Sequence, residues 1–467
     1  MLSSRVTRLK ESATLKMMER AKALEARGVR VISLDVGEPD FPTPREVVDA
    51  AYRAMLEGYT HYTPSKGLPE LRRAIVEKLR RDNGIDVTAD QVLVTPGAKQ
   101  ALFYLFMALL DEGDEVIVAT PAWPSYWEMV SVAGGVVKEA PPSDGYGLNL
   151  EAIEGLVTDR TKAIVVNSPN NPSGAVFSRE DMEGLVELAS RRKLIVISDE
   201  IYEKILYEGT HVSPASLPGG EETVVVVNGF SKTFAMTGWR LGYLAGPRQI
   251  VDAATKLQQH SATCAPAFAQ KAAAELLPQA DRLARPMVEE FRRRRDFIVS
   301  ALRSLGFRLE PPRGAFYVFP ELPDSEPDST AFVERALEAG VSMTDGKPFG
   351  GFSRNVRISY ANSMENLREA MERLSGVLKR RSDASAPPLL LPPRGVRPVP
   401  VHLELPAARE RRAARPAPVG PCCLLLHRVG IVVRVFLACG RTPGLAIEIR
   451  LIRDQYALRS SRPMPGI

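Results

Sequence analysis

Cysteine and long apolar runs are both scarce in this 467-residue chain, and each scarcity argues against a class of protein. Only four cysteines occur, and three of them follow residue 420, which is not the pattern of a secreted disulfide framework. No stretch approaches the ~20 apolar residues that span a bilayer. The first 16 residues carry charges where a secretion signal needs an apolar segment. We therefore expect a cytoplasmic protein that has no membrane partner.

An excess of positive charge is missing from most of the chain. The formal net charge is +5, but the segment from residue 381 to the end contains 14 Arg, no Lys and 5 acidic residues, which gives it +9. Residues 1–380 therefore carry −4. Nucleic-acid-binding proteins concentrate positive charge on their folded surface, so we expect no nucleic-acid partner.

The last 87 residues differ in composition from the rest of the chain. They hold 13 of its 37 prolines. Clustered Pro and Arg without a clear period are typical of segments that pack poorly. We interpret residues 381–467 as an atypical tail that is poorly ordered. It is either an extension with its own role or the product of a shifted reading frame in GC-rich DNA, and we favour the second reading.

Seven short apolar runs alternate with amphipathic stretches between about residues 90 and 246. Several runs are apolar throughout, which is typical of strands buried on both faces of a mainly parallel sheet. This alternation predicts an α/β fold with helices flanking a seven-stranded sheet. Beyond it, a long basic helical stretch precedes short strand patterns that begin at residues 308, 314 and 356, which predicts a smaller α+β domain. The predicted divisions are an N-terminal segment joining the small domain (1–44), the large domain (45–285), the small domain (286–380) and the tail (381–467).

Polar and small residues follow the apolar runs, where the carboxyl ends of the predicted strands meet and where such sheets bind ligands. Each has a plain structural explanation when it is taken alone, such as a strand-to-helix turn or a solvated lysine. All of them at one edge of a sheet are better explained by a ligand site. The set consists of Gly97, Ala98 and Lys99 at a helix start, Asn171, Asp199 with Tyr202, Ser231 with Lys232, and Arg240.

One cofactor needs this combination of groups. Pyridoxal phosphate (PLP) requires a lysine amine for its Schiff base and a carboxylate that keeps its pyridine nitrogen protonated. It also requires an arginine and backbone amides for its phosphate. The sequence therefore predicts a PLP site and no metal site.

From about Ser12 to about Leu378 the chain resembles the class I aminotransferases of PLP fold type I. The nearest likeness is to the bacterial and archaeal aspartate aminotransferase subgroup. The motifs that carry the resemblance are GEPDFPTP from Gly37, HYTPSKGLPELR from His61, NSPNNPSG from Asn167, SDEIY from Ser198, SKTFAMTGWRLGY from Ser231 and VRISYA from Val356.

The resemblance implies roles in cofactor binding. Lys232 forms the Schiff base and moves a proton between the substrate Cα and the cofactor C4′, and Asp199 binds the pyridine nitrogen. The phosphate is held by Arg240 and by Tyr62 of a neighbouring subunit, which implies a homodimer with shared active sites. The remaining implied contacts are Tyr202 and Asn171 at the phenolic oxygen, Trp123 stacked on the ring, and Ser231 with the amides of Gly97, Ala98 and Lys99 at the phosphate.

The resemblance also implies how amino-acid and 2-oxo-acid substrates are bound. Arg357 and Gly37 hold the α-carboxylate, with Trp123 and Asn171 beside it. Lys99 and Ser12 match the residues that hold a distal carboxylate, and Lys10 matches a basic residue found in relatives that accept prephenate.

The implied reaction transfers an amino group, with aspartate as the best guess for the donor and 2-oxoglutarate as the acceptor. The alternatives are alanine, aromatic amino acids or prephenate as substrates, a PLP-dependent β-lyase, and a PLP-binding regulator. Two departures from the family pattern stand out. Gly229 replaces a frequent serine, which removes one expected phosphate contact, and Asp345 replaces a common proline in a loop near the substrate entrance.

Overall fold

The structure is a computed structural model that describes residues 2–10 and 13–382 and two short strands further on. The chain divides into two compact units, residues 1–387 and 388–467. In the second unit the strands Arg434–Val435 and Ile447–Glu448 pair in antiparallel fashion. The first two residues of the predicted tail, 381 and 382, belong to a helix that ends at Ser382. The rest of the tail lies outside the described residues, so its order stays a prediction.

The first unit combines helices with one large sheet and two small ones. Its helices are α1 Ser4–Thr7, α2 Ala13–Glu25, α3 Arg45–Leu56, α4 Pro69–Asn83, α5 Ala98–Leu109, α6 Ser125–Val132, α7 Leu150–Gly155, α8 Arg179–Arg192, α9 Gly220–Thr223, α10 Arg248–Gln259, α11 Ala267–Leu276, α12 Ala280–Ser304, α13 Ser329–Glu338 and α14 Met364–Ser382. Its strands are β1 Ile32–Ser33, β2 Val92–Thr95, β3 Glu115–Ala119, β4 Val136–Ala140, β5 Thr161–Asn167, β6 Ile195–Asp199, β7 Val224–Gly229, β8 Gly242–Ala245, β9 Tyr317–Val318, β10 Val341–Ser342, β11 Thr344–Asp345 and β12 Val356–Ser359.

All seven predicted runs form strands of the large sheet, in the order β2-β8-β7-β6-β5-β3-β4. Every neighbouring pair is parallel except those made by β8, which is antiparallel to β2 and β7. The predicted α/β fold with a mainly parallel seven-stranded sheet is therefore confirmed. The register places Asn167 opposite Asp199, so the carboxyl ends of β5 and β6 lie side by side.

The sheet is covered on both faces, because successive side chains of a strand point to opposite sides. In β7, Val224 and Val226 belong to one hydrophobic cluster, while Val225 and Val227 belong to another. This double burial explains why the strands read as continuous apolar runs. The helix predicted from Arg179 spans Arg179–Arg192, and the side chains of Ser178 and Asp181 form a capping box at its start.

A third hydrophobic cluster joins α12, α13 and α14 with the N-terminal segment. Ile32 of β1 pairs in parallel with Val341 of β10, which ties the N-terminal segment to the later elements. The α+β character predicted after residue 285 is present. The segment from Arg308 forms only an isolated bridge to Glu321 rather than the predicted strand, because its two prolines lack the N–H that a strand ladder needs. The domain boundaries at residues 44 and 285 stay predictions.

No helix in the described part of the chain is long and apolar enough to cross a membrane. The cytoplasmic location stays a prediction.

Candidate active site

A cavity of about 380 Å³ lies beyond the carboxyl ends of the central strands. Eleven of the site residues predicted from the sequence line this cavity. They are Gly37, Ala98, Lys99, Trp123, Asn171, Asp199, Tyr202, Ser231, Lys232, Arg240 and Arg357.

Asp199 ends strand β6 and lies at the floor of this cavity. Its Oδ2 accepts a 2.6 Å hydrogen bond from the hydroxyl of Tyr126, and its Oδ1 accepts a longer one from the backbone N–H of Ile201. Burial raises the pKa of Asp199 to about 6, because the charged carboxylate loses water. The two hydrogen bonds oppose this rise because they stabilise the charged form. Asp199 is therefore a carboxylate with an unusually strong affinity for a proton or a proton-bearing partner.

Two asparagines fix the strand ends around Asp199. The Nδ2 of Asn167 donates to the backbone oxygen of Asp199 at 2.8 Å, and the Oδ1 of Asn167 accepts from the backbone N–H of Asn171 at 2.7 Å. The side-chain oxygen of Asn171 then accepts a 3.1 Å hydrogen bond from Nη1 of Arg357. This chain of hydrogen bonds links the end of the large sheet to the strand β12 that carries Arg357.

Lys232 lies in the segment that connects the antiparallel strands β7 and β8. Its ammonium group donates to the backbone oxygen of Gly37 at 2.6 Å. Burial, together with the positive charges of Arg357 and Arg240, lowers the pKa of Lys232 to about 8, although the carboxylate of Glu38 opposes this fall. A fraction of this lysine is therefore a neutral, nucleophilic amine near neutral pH.

The start of α5 forms a cradle against Arg240. Gly97 has a φ of 90°, and a Cβ at this position would lie 2.5 Å from Nη2 of Arg240. The N–H of Gly97 donates to the backbone oxygen of Thr95 at 2.7 Å, so it is not the free donor to a phosphate that was predicted. Instead, the lack of a side chain on Gly97 leaves room for the guanidinium of Arg240. The amides of Ala98 and Lys99 have no acceptor among the described residues. Free amides at a helix N-terminus beside an arginine form a site for an anion.

The guanidinium of Arg357 is buried between two aromatic rings. Its carbon lies 4.8 Å from the ring centre of Tyr317 and 5.2 Å from that of Phe349. Besides Asn171, its partners are the backbone oxygen of Asp35 at 2.6 Å and the hydroxyl of Thr344 at 3.3 Å. All three are neutral, and Nε has no partner among the described residues. A buried cation with only neutral partners is costly without an anion.

Lys99 extends over the ring of Trp123 at the cavity wall, with its ammonium 4.7 Å from the ring centre. Its side chain is exposed toward the cavity, yet the surrounding protein removes enough water to lower its pKa, and Arg240 adds to this effect. An anion bound beside Lys99 would oppose both effects, because it favours the charged ammonium.

Four predicted site residues do not line this cavity. One of them is Gly97, which lies just before α5. Tyr62 is 86% exposed on the protein surface. Lys10 is also exposed, and its backbone N–H donates to the carboxylate of Glu128. Ser12 lies outside the described residues. Of the two departures, Gly229 has a steric reason: a Cβ there would lie 3.0 Å from Cα of Gly242, so a serine needs a local shift.

The cavity also contains residues that sequence reasoning missed. Tyr126, Tyr317 and Thr237 line it, together with Asn167. The hydroxyl of Tyr317 lies 3.0 Å from that of Tyr202. Tyr126 lies three residues after Trp123, at the start of α6, so its closeness in sequence to a predicted site residue was the available signal.

Comparison with known proteins decides the family. The aminotransferase class I and II family matches residues 29–374. The chain belongs to this family. It is an enzyme, an aminotransferase, and the family depends on PLP.

Individual relatives match this aminotransferase over most of its length. The aspartate/prephenate aminotransferase of Thermus thermophilus is 47% identical over 384 residues, which cover 81% of this chain and 99% of the relative. The aspartate aminotransferase of Thermotoga maritima is 42% identical over 386 residues, with coverages of 82% and 100%. A solved structure of aspartate aminotransferase from Thermus thermophilus with maleate is 46% identical, has a TM-score of 0.78, and covers 81% of this chain and 99% of its own. The resemblance read from the motifs is confirmed.

Proposed function

We propose that this aminotransferase binds PLP through Lys232 and transfers the amino group of a dicarboxylic amino acid, with aspartate as the preferred donor and 2-oxoglutarate as the acceptor. One observation carries the proposal. Among the described residues, the cavity cations Arg240, Arg357 and Lys99 lie within ion-pairing distance of no carboxylate. PLP with aspartate supplies three anionic groups, one phosphate and two carboxylates.

The groups that line the cavity fit PLP. Arg240 and the amides of Ala98 and Lys99 would hold the phosphate, with Ser231 beside them. Asp199 would hold the pyridine nitrogen, and its raised affinity for a proton suits a nitrogen that must stay protonated. Tyr202 and Asn171 would donate to the phenolic oxygen, and Trp123 would stack on the ring.

When bound, PLP supplies an aldehyde carbon that captures amines and a ring that accepts electrons from the substrate's Cα. Lys232 holds the cofactor and moves the proton of the substrate's Cα, for which its lowered pKa is suited. Asp199 keeps a proton on the ring nitrogen by holding a negative charge beside it. The amino acid leaves as its 2-oxo acid, and a second 2-oxo acid then receives the amino group.

Substrate recognition is assigned to two cations on different elements. Arg357 would hold the α-carboxylate with its planar fork of donors, close to Gly37. Lys99 would hold the distal carboxylate, and the family resemblance assigns Ser12 to the same group. Lys10 would be the basic residue for prephenate, an additional substrate that is supported by the similarity to the aspartate/prephenate aminotransferase of Thermus thermophilus.

A homodimer with shared sites is part of the proposal. Tyr62 is exposed, and so are Tyr52, Met55 and Leu56 on α3 nearby in sequence. Met55 and Leu56 lie three and four residues after Tyr52 on one helix, so the three share a face, and exposed apolar side chains of this kind favour contact with a protein partner. A second copy that covers this surface would bring its Tyr62 to the phosphate site of the first.

The test of the reaction is a half-reaction on the PLP-loaded protein. L-aspartate alone is added, and the conversion of lysine-bound cofactor to pyridoxamine phosphate is followed by absorbance. L-glutamate, L-alanine and L-phenylalanine are compared, and ammonia and pyruvate are assayed separately. Conversion with aspartate and glutamate to the matching oxo acids is expected. Conversion by apolar donors alone contradicts the dicarboxylic specificity, and release of ammonia without pyridoxamine phosphate indicates a lyase.

The test of the cofactor assignment is Lys232→Ala, which should lose the absorbance of lysine-bound cofactor and all turnover. Lys66→Ala is a matched control, since Lys66 is paired with Asp252 away from the cavity. Normal turnover of Lys232→Ala overturns the assignment of the cofactor site.

Mixed dimers test the shared site. Tyr62→Ala should weaken PLP binding, and Lys232→Ala should be inactive. When the two variants are mixed and refolded together, half of the sites in a hybrid contain an intact Lys232 and an intact Tyr62 from the neighbour. A recovery of tight PLP binding in the hybrid is expected. Binding no tighter than in Tyr62→Ala alone contradicts the sharing of sites.

A further inference from the structure

Asp345 holds one end of a strand to the start of a helix. Its Oδ1 accepts a 2.5 Å hydrogen bond from the hydroxyl of Ser329, and its Oδ2 accepts another of 2.5 Å from the hydroxyl of Thr330. Both donors are the first residues of α13. A carboxylate at a helix N-terminus is stabilised by the helix dipole as well as by these hydrogen bonds. Asp345 therefore holds the end of β11 against the start of α13 through two charge-assisted hydrogen bonds.

The strand that Asp345 fastens forms part of the wall around Arg357. Thr344, its immediate neighbour, lies opposite Arg357 in the antiparallel pair β11–β12 and accepts a hydrogen bond from Nη2. Four residues beyond Asp345, the ring of Phe349 lies against the guanidinium. Two of the contacts that fix the guanidinium thus come from the segment 344–349, which contains Asp345.

The segment between these contacts has little freedom to move alone. A Cβ on Gly346 would lie 2.3 Å from the backbone oxygen of Asn355, and the backbone oxygen of Phe349 accepts from the N–H of Ala122 at 3.0 Å. Ala122 directly precedes Trp123 of the cavity wall. A shift of Asp345 would therefore also shift the tight turn that follows it. Phe349 and the guanidinium of Arg357, which lies against it, would move with that turn.

We propose that Asp345 is a positioning residue, which orients the guanidinium of Arg357 for the substrate's carboxylate by anchoring β11 and the following turn to Ser329 and Thr330. This inference rests on the proposed function, in which Arg357 binds the α-carboxylate. The partners of Arg357 are neutral and Nε has none among the described residues, so its orientation depends on the surrounding wall. Asp345 does not line the cavity and acts through that wall.

The experiment compares Asp345→Asn with Thr330→Val in the PLP-loaded protein. Asparagine keeps the shape and one acceptor, whereas valine removes one donor and leaves the carboxylate. The probe is maleate, a dicarboxylate that can bind but carries no amino group to transfer, and its Kd is measured by titration of the cofactor absorbance. Asp345→Asn should raise the maleate Kd and the KM for aspartate by about five- to twentyfold, with kcat changed less than about twofold. Thr330→Val should shift the same quantities in the same direction by a smaller factor.

A double-mutant cycle with Arg357→Ala separates positioning from other effects. If Asp345 acts through Arg357, adding Asp345→Asn to Arg357→Ala changes the maleate Kd no further. Asp324→Asn is the matched control, since Asp324 is an exposed carboxylate paired with Arg308 at the surface, and it should leave the Kd unchanged.

Three results would overturn the positioning role. They are a maleate Kd within about twofold of the parent in both Asp345→Asn and Thr330→Val, a loss that is confined to kcat, and a full additive loss on top of Arg357→Ala. An Arg357→Ala variant that itself binds maleate normally is a different failure, because it removes Arg357 from the proposed function.

Discussion

The hydroxyl of Tyr126 donates a 2.6 Å hydrogen bond to Oδ2 of Asp199, and both side chains are buried. Tyr126 comes from α6, whereas Lys232 lies in the segment that connects β7 and β8. Burial raises the pKa of Tyr126, so the proton stays on the tyrosine. The hydrogen bond that Tyr126 donates opposes the rise that burial causes in the pKa of Asp199. The hydrogen bond therefore stabilises Asp199 in its charged form, which is the form that the proposed cofactor contact needs.

Replacing Tyr126 by phenylalanine should weaken PLP binding by about tenfold or more at neutral pH. The reason is that a hydrogen bond to a buried charge contributes about 1.5–3 kcal/mol. The measurement is the PLP Kd of the apoprotein by absorbance titration. Tyr104→Phe is the matched control, because Tyr104 is a buried tyrosine that bonds to Ser261 and does not line the cavity. Equal Kd values for Tyr126→Phe and the parent would contradict the role of this hydrogen bond.

The ionised carboxylate of Asp199 should lower the free energy of unfolding of the apoprotein above about pH 6. Its pKa of about 6 in the fold exceeds its ordinary value of 3.8, so the folded state binds the proton more tightly than the unfolded state. Folding stability therefore falls as the pH rises from about 4 to about 6, and the loss reaches about 3 kcal/mol above that range.

Asp199→Asn removes this penalty. The variant apoprotein should be more stable than the parent at about pH 8, and the difference should shrink as the pH approaches about 4. Urea unfolding of both apoproteins across this range is the measurement. A difference that does not vary with pH would show that the ionisation of Asp199 is not its cause. A gain in stability on losing a functional group is expected where a site is built for chemistry rather than for folding.

Capture of PLP by the apoprotein should accelerate with pH until about pH 8. The neutral amine of Lys232 attacks the aldehyde, and with a pKa of about 8 roughly a tenth of it is neutral at about pH 7. Glu38 opposes the fall in this pKa, so Glu38→Gln should move the midpoint of the rate profile to lower pH. Stopped-flow absorbance measures the capture rate.

The control for this profile is Glu112→Gln, which removes an exposed carboxylate paired with Arg8. It should leave the midpoint in place. A midpoint near the ordinary lysine pKa of 10.5 in the parent protein would mean that the amine is not perturbed by its surroundings.

The sheet and much of the cavity were predictable because their signals are local. Strands buried on both faces must be apolar throughout, so the seven runs could be read directly from the sequence. Lys232, Asp199 and Asn171 follow such runs, and parallel strands bring their carboxyl ends together whatever the length of the intervening helices.

The contacts that depend on tertiary packing could not be predicted. In the sequence, Tyr126 looks like an ordinary aromatic residue of a helix. It becomes a partner of Asp199 only because α6 packs close to the end of β6. The register that sets Thr344 opposite Arg357 joins segments whose pairing no local pattern specifies. The orientation of the Gly97 amide toward Thr95 is a detail of one turn. These relations follow from how the elements pack rather than from the order of residues.

Lys99→Met provides the sharpest test of substrate choice, because methionine keeps an unbranched chain but loses the charge. If Lys99 holds the distal carboxylate, kcat/KM for aspartate and glutamate should fall by about thirtyfold or more, since losing one partner of a buried charge pair costs about 2–5 kcal/mol. Donors without a distal carboxylate, alanine and phenylalanine, should change by less than about threefold. Lys66→Met is the control lysine outside the cavity. Equal losses for all four donors would assign Lys99 to the cofactor or to the start of α5, because a contact shared by every substrate cannot distinguish among them.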